Sequence, residues 1–332
     1  MVKKEIQKII VIGSNSFSAG SLVNLLLEKK IKVYGVSRSK LNAINFLRFN
    51  KKSKNFNFFQ FDLNKDNVKL LNLIKKIKPN YIINYASQSM VGQSWENASD
   101  WFLTNSYSTI KFYDSISKLK LKFKLIHVST PEVYGSLEKN TVETRIYNPT
   151  TPYAVSRVTA DHYLDILNKR NKINFCSIRA SNVYGEYQRL YRIIPKTIFS
   201  ILKKQKLKLD GGGLSKRNFI HIDDVSDATY KVIKNGKRGE IYHISGSQVI
   251  SIRDLVKLIC KKMNYSFDKL VKIAPERPGK DNYYIISSKK MNKSFNWKTK
   301  ISLDEGINRC IDWIKKDLRS FSKQDEYYIH KK

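Results

Sequence analysis

The sequence predicts an α/β protein, a doubly wound parallel sheet with a smaller C-terminal α/β lobe, and three observations predict it. Short apolar runs alternate with amphipathic stretches of helical length over the first 185 residues, which is the pattern of βαβ units. The first run ends in a glycine-bearing turn that opens directly into a helix. Beyond residue 186 the alternation loosens. With 332 residues, 41% of them hydrophobic, both lobes can have a proper core. We place the first lobe at residues 1–185 and the second at 186–332. No repeat, low-complexity segment or flexible linker separates them, so an intimate interface with some exchange of chain is expected.

In chain order, KIIVIG (8–13), KVYGVS (32–37), NFFQFD (57–62), YIINYA (81–86), KLIHVST (124–130) and FCSIRAS (175–181) read as strands. Between them, SLVNLLLEKK (21–30), VKLLNLIKKI (68–77), TNSYSTIKFYDSISKL (104–119) and PYAVSRVTADHYLDILNKR (152–170) carry apolar residues at helical spacing. Farther on, KLKLDGG and IYHIS read as strands. SIRDLVKLICKKM reads as a helix opened by Ser251, and LDEGINRCIDWIKKDL as a terminal helix with Trp313 on its apolar face.

Composition narrows the function classes. Cys176, Cys260 and Cys310 are far apart in apolar or helical stretches, so neither a disulfide framework nor a cysteine-rich metal site is expected. The opening MVKKEIQ leads at once into an apolar run too short for a signal sequence or a membrane span. A soluble protein of the cytoplasm is expected. The net charge of +34 is spread along the chain, with short runs at KKSK (51–54) and KKQKLK (203–208). No zinc-finger spacing, RNP-type aromatic motif or helix-turn-helix accompanies it. A polyanionic small substrate is therefore a more economical partner than nucleic acid.

The turn after the first run reads Gly13-Ser-Asn-Ser16-Phe17-Ser-Ala19-Gly20, in the strand-to-helix context of a Rossmann-type pyrophosphate site. Such turns favour glycine because the backbone bends sharply and approaches the phosphates at a helix N-terminus. Gly13 keeps the motif, whereas Ser16 and Ala19 fill its other two glycine positions with small residues. Where an acid would meet the adenosine ribose, the second strand ends Val36-Ser37-Arg38. A hydroxyl followed by arginine suits a 2′-phosphate, which favours NADP over NAD. Asp62, closing the third strand, is expected to border the adenine or to cap the next segment.

Ser129-Thr130-Pro131-Glu132-Val-Tyr-Gly135 ends the fifth strand, and Tyr153-Ala-Val-Ser-Arg157 begins the next helix. At i and i+4, Tyr153 and Arg157 share a helical face, and a cation there stabilises a phenolate. With these residues the chain resembles the extended short-chain dehydrogenase/reductase superfamily, and within it the NAD(P)-dependent nucleotide-sugar 4,6-dehydratases of the dTDP-glucose and GDP-mannose types. The resemblance runs nearly end to end, through YASQSMVGQSWEN (85–97), STPEVYG (129–135), NPTTPYAVSR (148–157), RASNVYGEYQ (179–188), GGGLSKRNFIHIDDV (211–225) and ERPGKDNYY (276–284).

The resemblance implies that Tyr153 takes the proton of the sugar 4-hydroxyl while hydride leaves C4, with Thr130 bonded to the same oxygen. It implies that Glu132 removes the C5 proton, after which the C6 hydroxyl departs and hydride returns to C6. It adds Leu63, Ala86 and Gln88 to the cofactor contacts, and assigns Ser89, Ser129, Asn182, Arg192, Arg217, Arg277 and Tyr283 to the substrate, a nucleoside-diphosphate sugar. Asp281 joins these as a further contact. His221, Asp223 and Asp224 would hold the lobe together rather than bind a metal, and His221 and His127, on apolar strands, would be satisfied core residues. The helices at 104–119 and 152–170 would pack against their mates in a homodimer.

Two residues depart from the family pattern. Pro131 replaces the aspartate that protonates the leaving hydroxyl in the dTDP-glucose type, so Glu132 would act as both base and acid. Arg157 replaces a lysine, keeping the charge with a different geometry. A nucleotide-glucuronate decarboxylase, a 4-epimerase and a non-catalytic dinucleotide sensor are the alternative readings.

Overall fold

The computed structural model describes residues 7–42, 46–276, 283–322 and 324–331. Arg277 and Asp281 lie outside the described residues. The strands are β1 (Lys8–Ile12), β2 (Lys32–Ser37), β3 (Phe56–Gln60), β4 (Tyr81–Asn84), β5 (Lys124–Val128), β6 (Leu137–Thr141), β7 (Phe175–Ala180), β8 (Asn182–Tyr184), β9 (Leu207–Asp210), β10 (Lys216–His221), β11 (Ile241–Ile244), β12 (Val249–Ser251), β13 (Val271–Ala274) and β14 (Tyr283–Ile286). The helices are α1 (Phe17–Glu28), α2 (Asn67–Ile77), α3 (Ala98–Trp101), α4 (Thr109–Ser117), α5 (Pro152–Lys169), α6 (Ile193–Leu202), α7 (Ile222–Asn235), α8 (Ile252–Lys262), α9 (Phe267–Leu270), α10 (Lys289–Phe295), α11 (Leu303–Lys316) and α12 (Leu318–Phe321).

Seven strands form a parallel sheet in the order β11-β7-β5-β4-β1-β2-β3. Alternate residues of β1 feed opposite faces. Ile9 and Val11 pack under α1 and α7 with Leu22 and Val232, while Ile10 and Ile12 pack under α2, α4 and α5 with Ile74, Phe112 and Leu164. Because both faces are covered, the strands read as unbroken apolar runs. The strand order reverses at β1, between β4 and β2, and a crevice opens beyond the carboxyl ends there.

The smaller lobe has its own core, in which Ile198 of α6, Leu255 and Ile259 of α8 and Ile307 and Ile311 of α11 meet. Its main sheet runs β12-β10-β14-β6, with β8 on β10. Three strands cross residue 185: β6 and β8 leave the first half for the second sheet, and β11 returns to edge the first. His221 Nε2 meets Glu186 at 3.0 Å, and Asp224 accepts the Lys300 and Ile301 amides at 3.0 and 3.1 Å. Asp223 pairs with Arg48 and Arg309. These acids are spent on holding the chain together, and no metal-holding cluster occurs among the described residues.

The helix predicted over 104–119 differs in form. It runs from Ala98 to Ser117 with a π-helical stretch, Phe102–Ser108, in its middle. That wider turn faces Asn105 inward, where its amide donates to Ser156 Oγ at 2.9 Å and to the Gln88 carbonyl at 3.0 Å, while Gln88 N donates back to Asn105 Oδ1 at 2.9 Å.

Candidate active site

The crevice begins at Gly13. Its φ of +79° suits glycine, and a Cβ there would come within 2.7 Å of the Ala86 nitrogen. Ser16 caps α1 by accepting from Ala19 N at 3.3 Å, and buried Ala19 lets the helix close on the sheet. Small residues thus keep the turn that glycine makes elsewhere. A cavity of about 570 Å³ lies over this turn, lined by Gly13, Ser16, Ser37, Arg38, Asp62, Leu63, Ala86 and Gln88. Phe17 faces the neighbouring cavity instead.

Asn15 went unnoticed in the sequence. Its amide donates to the Ser39 and Lys40 carbonyls at 3.0 and 2.7 Å and so fixes the turn after β2, while its buried Oδ1 finds no protein partner. Helix N-terminus, required glycine and orphaned oxygen together fit a dinucleotide.

The second cavity, of about 700 Å³, shares Asn15, Ser16, Tyr85 and Tyr191 with the first, so the two form one cleft. Thr130, Glu132, Tyr153 and Arg157 meet on its wall. Thr130 leaves β5 in extended conformation and caps the short turn Pro131–Tyr134, and its hydroxyl donates to Glu132 Oε2 at 2.5 Å. Thr151 caps α5 with Pro152 at its first position, which buries Tyr153 with its amide on Ser94 Oγ at 3.2 Å. Burial and the nearby Glu132 charge push the Tyr153 phenol up to about 12, against the pull of Arg157, Thr130 and Arg192. Arg157, one turn on, donates to the Val128 carbonyl, and its buried Nε has no protein partner.

Beneath this wall lies a residue the sequence reading missed. Asp161, one further turn along α5, accepts from Ser129 Oγ at 2.7 Å, pairs with Arg179 at 3.0 Å and faces His127 Nε2 at 3.2 Å. Burial alone would raise its carboxyl, but Arg179, His127 and Ser129 hold it far below the usual range. Burial lowers His127 despite Asp161, and its Nδ1 meets Tyr113 Oη at 2.6 Å. Ser129 therefore borders the cleft with its hydroxyl committed to Asp161. The i+8 spacing from Tyr153 was the available signal.

Ser89, Asn182, Arg192 and Arg217 line the second cavity. Tyr283 is not among the residues lining it. Successive residues of a strand face opposite ways, and Tyr284 points in, buried beside Tyr153, Glu132 and Thr130 with the Arg217 guanidinium 5.6 Å from its ring centre.

A tyrosine, a hydroxyl, a carboxylate and a guanidinium converging beside a dinucleotide cradle invite comparison with known enzymes. The model of the family described as GDP-mannose 4,6 dehydratase matches residues 10–310. The chain belongs to that family. The dTDP-D-glucose 4,6-dehydratase of Mus musculus is 30% identical over 330 residues, covering 96% of this chain and 92% of the mouse protein. The crystal structure of dTDP-glucose 4,6-dehydratase from Bacillus anthracis in complex with NAD superposes with a TM-score of 0.85 at 26% identity, covering 94% of this chain and 98% of that one. UDP-glucose 4-epimerase of Thermotoga maritima shares the fold, with a TM-score of 0.85 at 24% identity over 94% of this chain and 100% of its own. The mouse and Bacillus anthracis proteins are named as 4,6-dehydratases, the reaction class the sequence predicts, and this chain has the Rossmann-type sheet it predicts.

Proposed function

We propose that this chain removes water from a nucleoside-diphosphate hexose to give its 4-keto-6-deoxy derivative. The observation that supports this most is the meeting of Tyr153, Thr130 and Glu132 on one wall of a cleft continuous with the dinucleotide cradle. The dinucleotide, when bound, supplies the hydride acceptor for C4, the hydride donor for C6 and, when oxidised, a positive charge that joins Arg157 and Arg192 in drawing off the Tyr153 proton. Tyr153 then accepts the 4-hydroxyl proton, with Thr130 bonded to the same oxygen. Glu132 takes the C5 proton and gives it to the departing C6 hydroxyl, since Pro131 leaves no other acid on that turn; as hydride returns to C6, C5 takes a proton from solvent, to which Tyr153 gives up the proton it accepted. Arg192 and Arg217 hold the diphosphate through their planar donor forks, with Asn182 and Ser89 on the sugar side.

In this reading residues 1–185 carry the cofactor turn and the reacting groups, and residues 186–332 supply the diphosphate contacts Arg192 and Arg217. Ser37 and Arg38 at the cavity favour the 2′-phosphate of NADP; tighter binding of NAD than of NADP would reverse that choice. The cytoplasm is the proposed location: all three cysteines are free and buried, and among the described residues no helix is long and apolar enough to cross a membrane. A homodimer is proposed through exposed Phe102, Leu103 and Tyr107 of the π-containing helix and Val155 and Ile166 of α5.

Incubation with a panel of nucleoside-diphosphate hexoses and hexuronates, read by mass spectrometry, tests the reading. A loss of water supports it, and C4 inversion alone points to an epimerase. Loss of carbon dioxide supports the decarboxylase, the second reading that Pro131 favours. Sugars returned unchanged while cofactor binds would indicate a sensor.

A further inference from the structure

The last described segment, residues 324–331, turns back from α12 and lies across the mouth of the dinucleotide cavity. It is anchored on both lobes. On the substrate side, the Tyr328 ring meets Tyr191 edge-on at 5.5 Å, and the Lys196 ammonium sits 5.1 Å from the Tyr327 ring centre. On the other side, the His330 ring stacks on buried Trp101 at 5.0 Å, and its Nε2 meets Asp100 Oδ2 at 2.7 Å. Gln88 joins the two, donating to the Lys331 carbonyl at 3.0 Å and accepting from Tyr328 Oη at 3.4 Å. Gln88 is itself held by Asn105.

We propose that residues 324–331 are a strap that forms the outer wall of the dinucleotide site and retains the cofactor between turnovers. This rests on the cofactor reading above. Tyr327, Tyr328, Ile329 and Lys331 line the same cavity as Gly13 and Asp62, and about 570 Å³ remains open within that lining. The segment therefore borders the space without filling it. A cofactor reduced and reoxidised within one turnover has no need to leave, so a closed site suits the chemistry, whereas an enzyme that exchanges its cofactor every cycle would be slowed by it.

The test compares the full chain, a chain ending at Ser322, and His330→Ala, whose side chain faces Trp101 and Asp100 rather than the cavity. Stopped-flow fluorescence follows release of NADPH or NADH into excess oxidised cofactor, and circular dichroism checks that each chain is folded. Release is expected to be about tenfold faster or more from the shortened chain, equivalent to roughly 1.4 kcal/mol of anchoring, and severalfold faster from His330→Ala. Equal release from all three overturns the strap. Tighter binding by the shortened chain also overturns it, by making the segment a plug. If no chain binds dinucleotide with or without the segment, the cofactor reading falls, and the strap with it.

Discussion

The two walls of the cleft are built by opposite means. On the wall from β5 and α5, the protein itself holds the groups before a ligand arrives: the Tyr153 backbone amide by Ser94, Glu132 by Thr130, one Arg157 donor by Val128, and Ser129 by Asp161. On the wall from the smaller lobe, the cations rest against aromatic faces, Arg217 against Tyr284 and Arg192 against Tyr191. A ring face holds a guanidinium in place, and Arg217 also donates to the Lys216 carbonyl at 2.8 Å. The first wall supplies geometry and the second supplies affinity. The chemistry needs its groups set beforehand, whereas a flexible diphosphate is better met by side chains that can adjust to it.

Substitutions can sharpen or break that contrast. Tyr153→Phe should lower kcat by about 10²–10⁴-fold with little change in substrate affinity, as read by steady-state kinetics beside calorimetric binding. An equal loss of affinity would show that this wall also binds. Asp161→Asn should cost about 3–5 kcal/mol of stability in denaturant titration, because it strips the partner from the buried Arg179 guanidinium.

The same carboxyl sets a pH limit. Its folded pKa lies below the unfolded value of about 3.9, so its contribution is complete above that pH and is lost as pH falls further. Thermal unfolding between pH 5 and pH 2 should show the wild type losing the advantage over Asp161→Asn that it holds at neutrality. Arg217→Ala should have the smallest effect, raising substrate KM by about tenfold to a hundredfold with kcat nearly unchanged, as for one charged hydrogen bond worth about 1.5–3 kcal/mol. A fall in kcat instead would place Arg217 with the geometric wall.

Legibility in the sequence divides along similar lines. The six strands read from apolar runs all appear, because a parallel strand covered on both faces has no polar side to interrupt its pattern. Tyr153 and Arg157 share a helix face as their spacing implied, and Thr130 and Glu132 join them on the cleft wall as the resemblance implied. What escaped depends on contacts between distant parts of the chain. The strand β6, LEKNT, has no apolar run and is defined by pairing with β14. Asn105 reads as an ordinary polar helix residue until the π-turn brings it to Gln88. The choice between Tyr283 and Tyr284 depends on which face of a short strand meets the cleft, and Tyr-Tyr-Ile-Ile carries no alternation to decide it. Gln88 meets Lys331 across 243 positions, a separation beyond any local pattern.

The exchange of β6 and β11 between the sheets reaches further than topology. A hinge needs a place where the backbone passes from one body to the other with little to tear, and this chain offers none near residue 185. Each sheet borrows an edge from the other half, so a fragment cut there would expose an unpaired border on both pieces. The cleft walls are laced together as well as packed, and their distance apart is set when the chain folds. Substrate admission then falls to the side chains that line the second cavity, not to a swinging of halves.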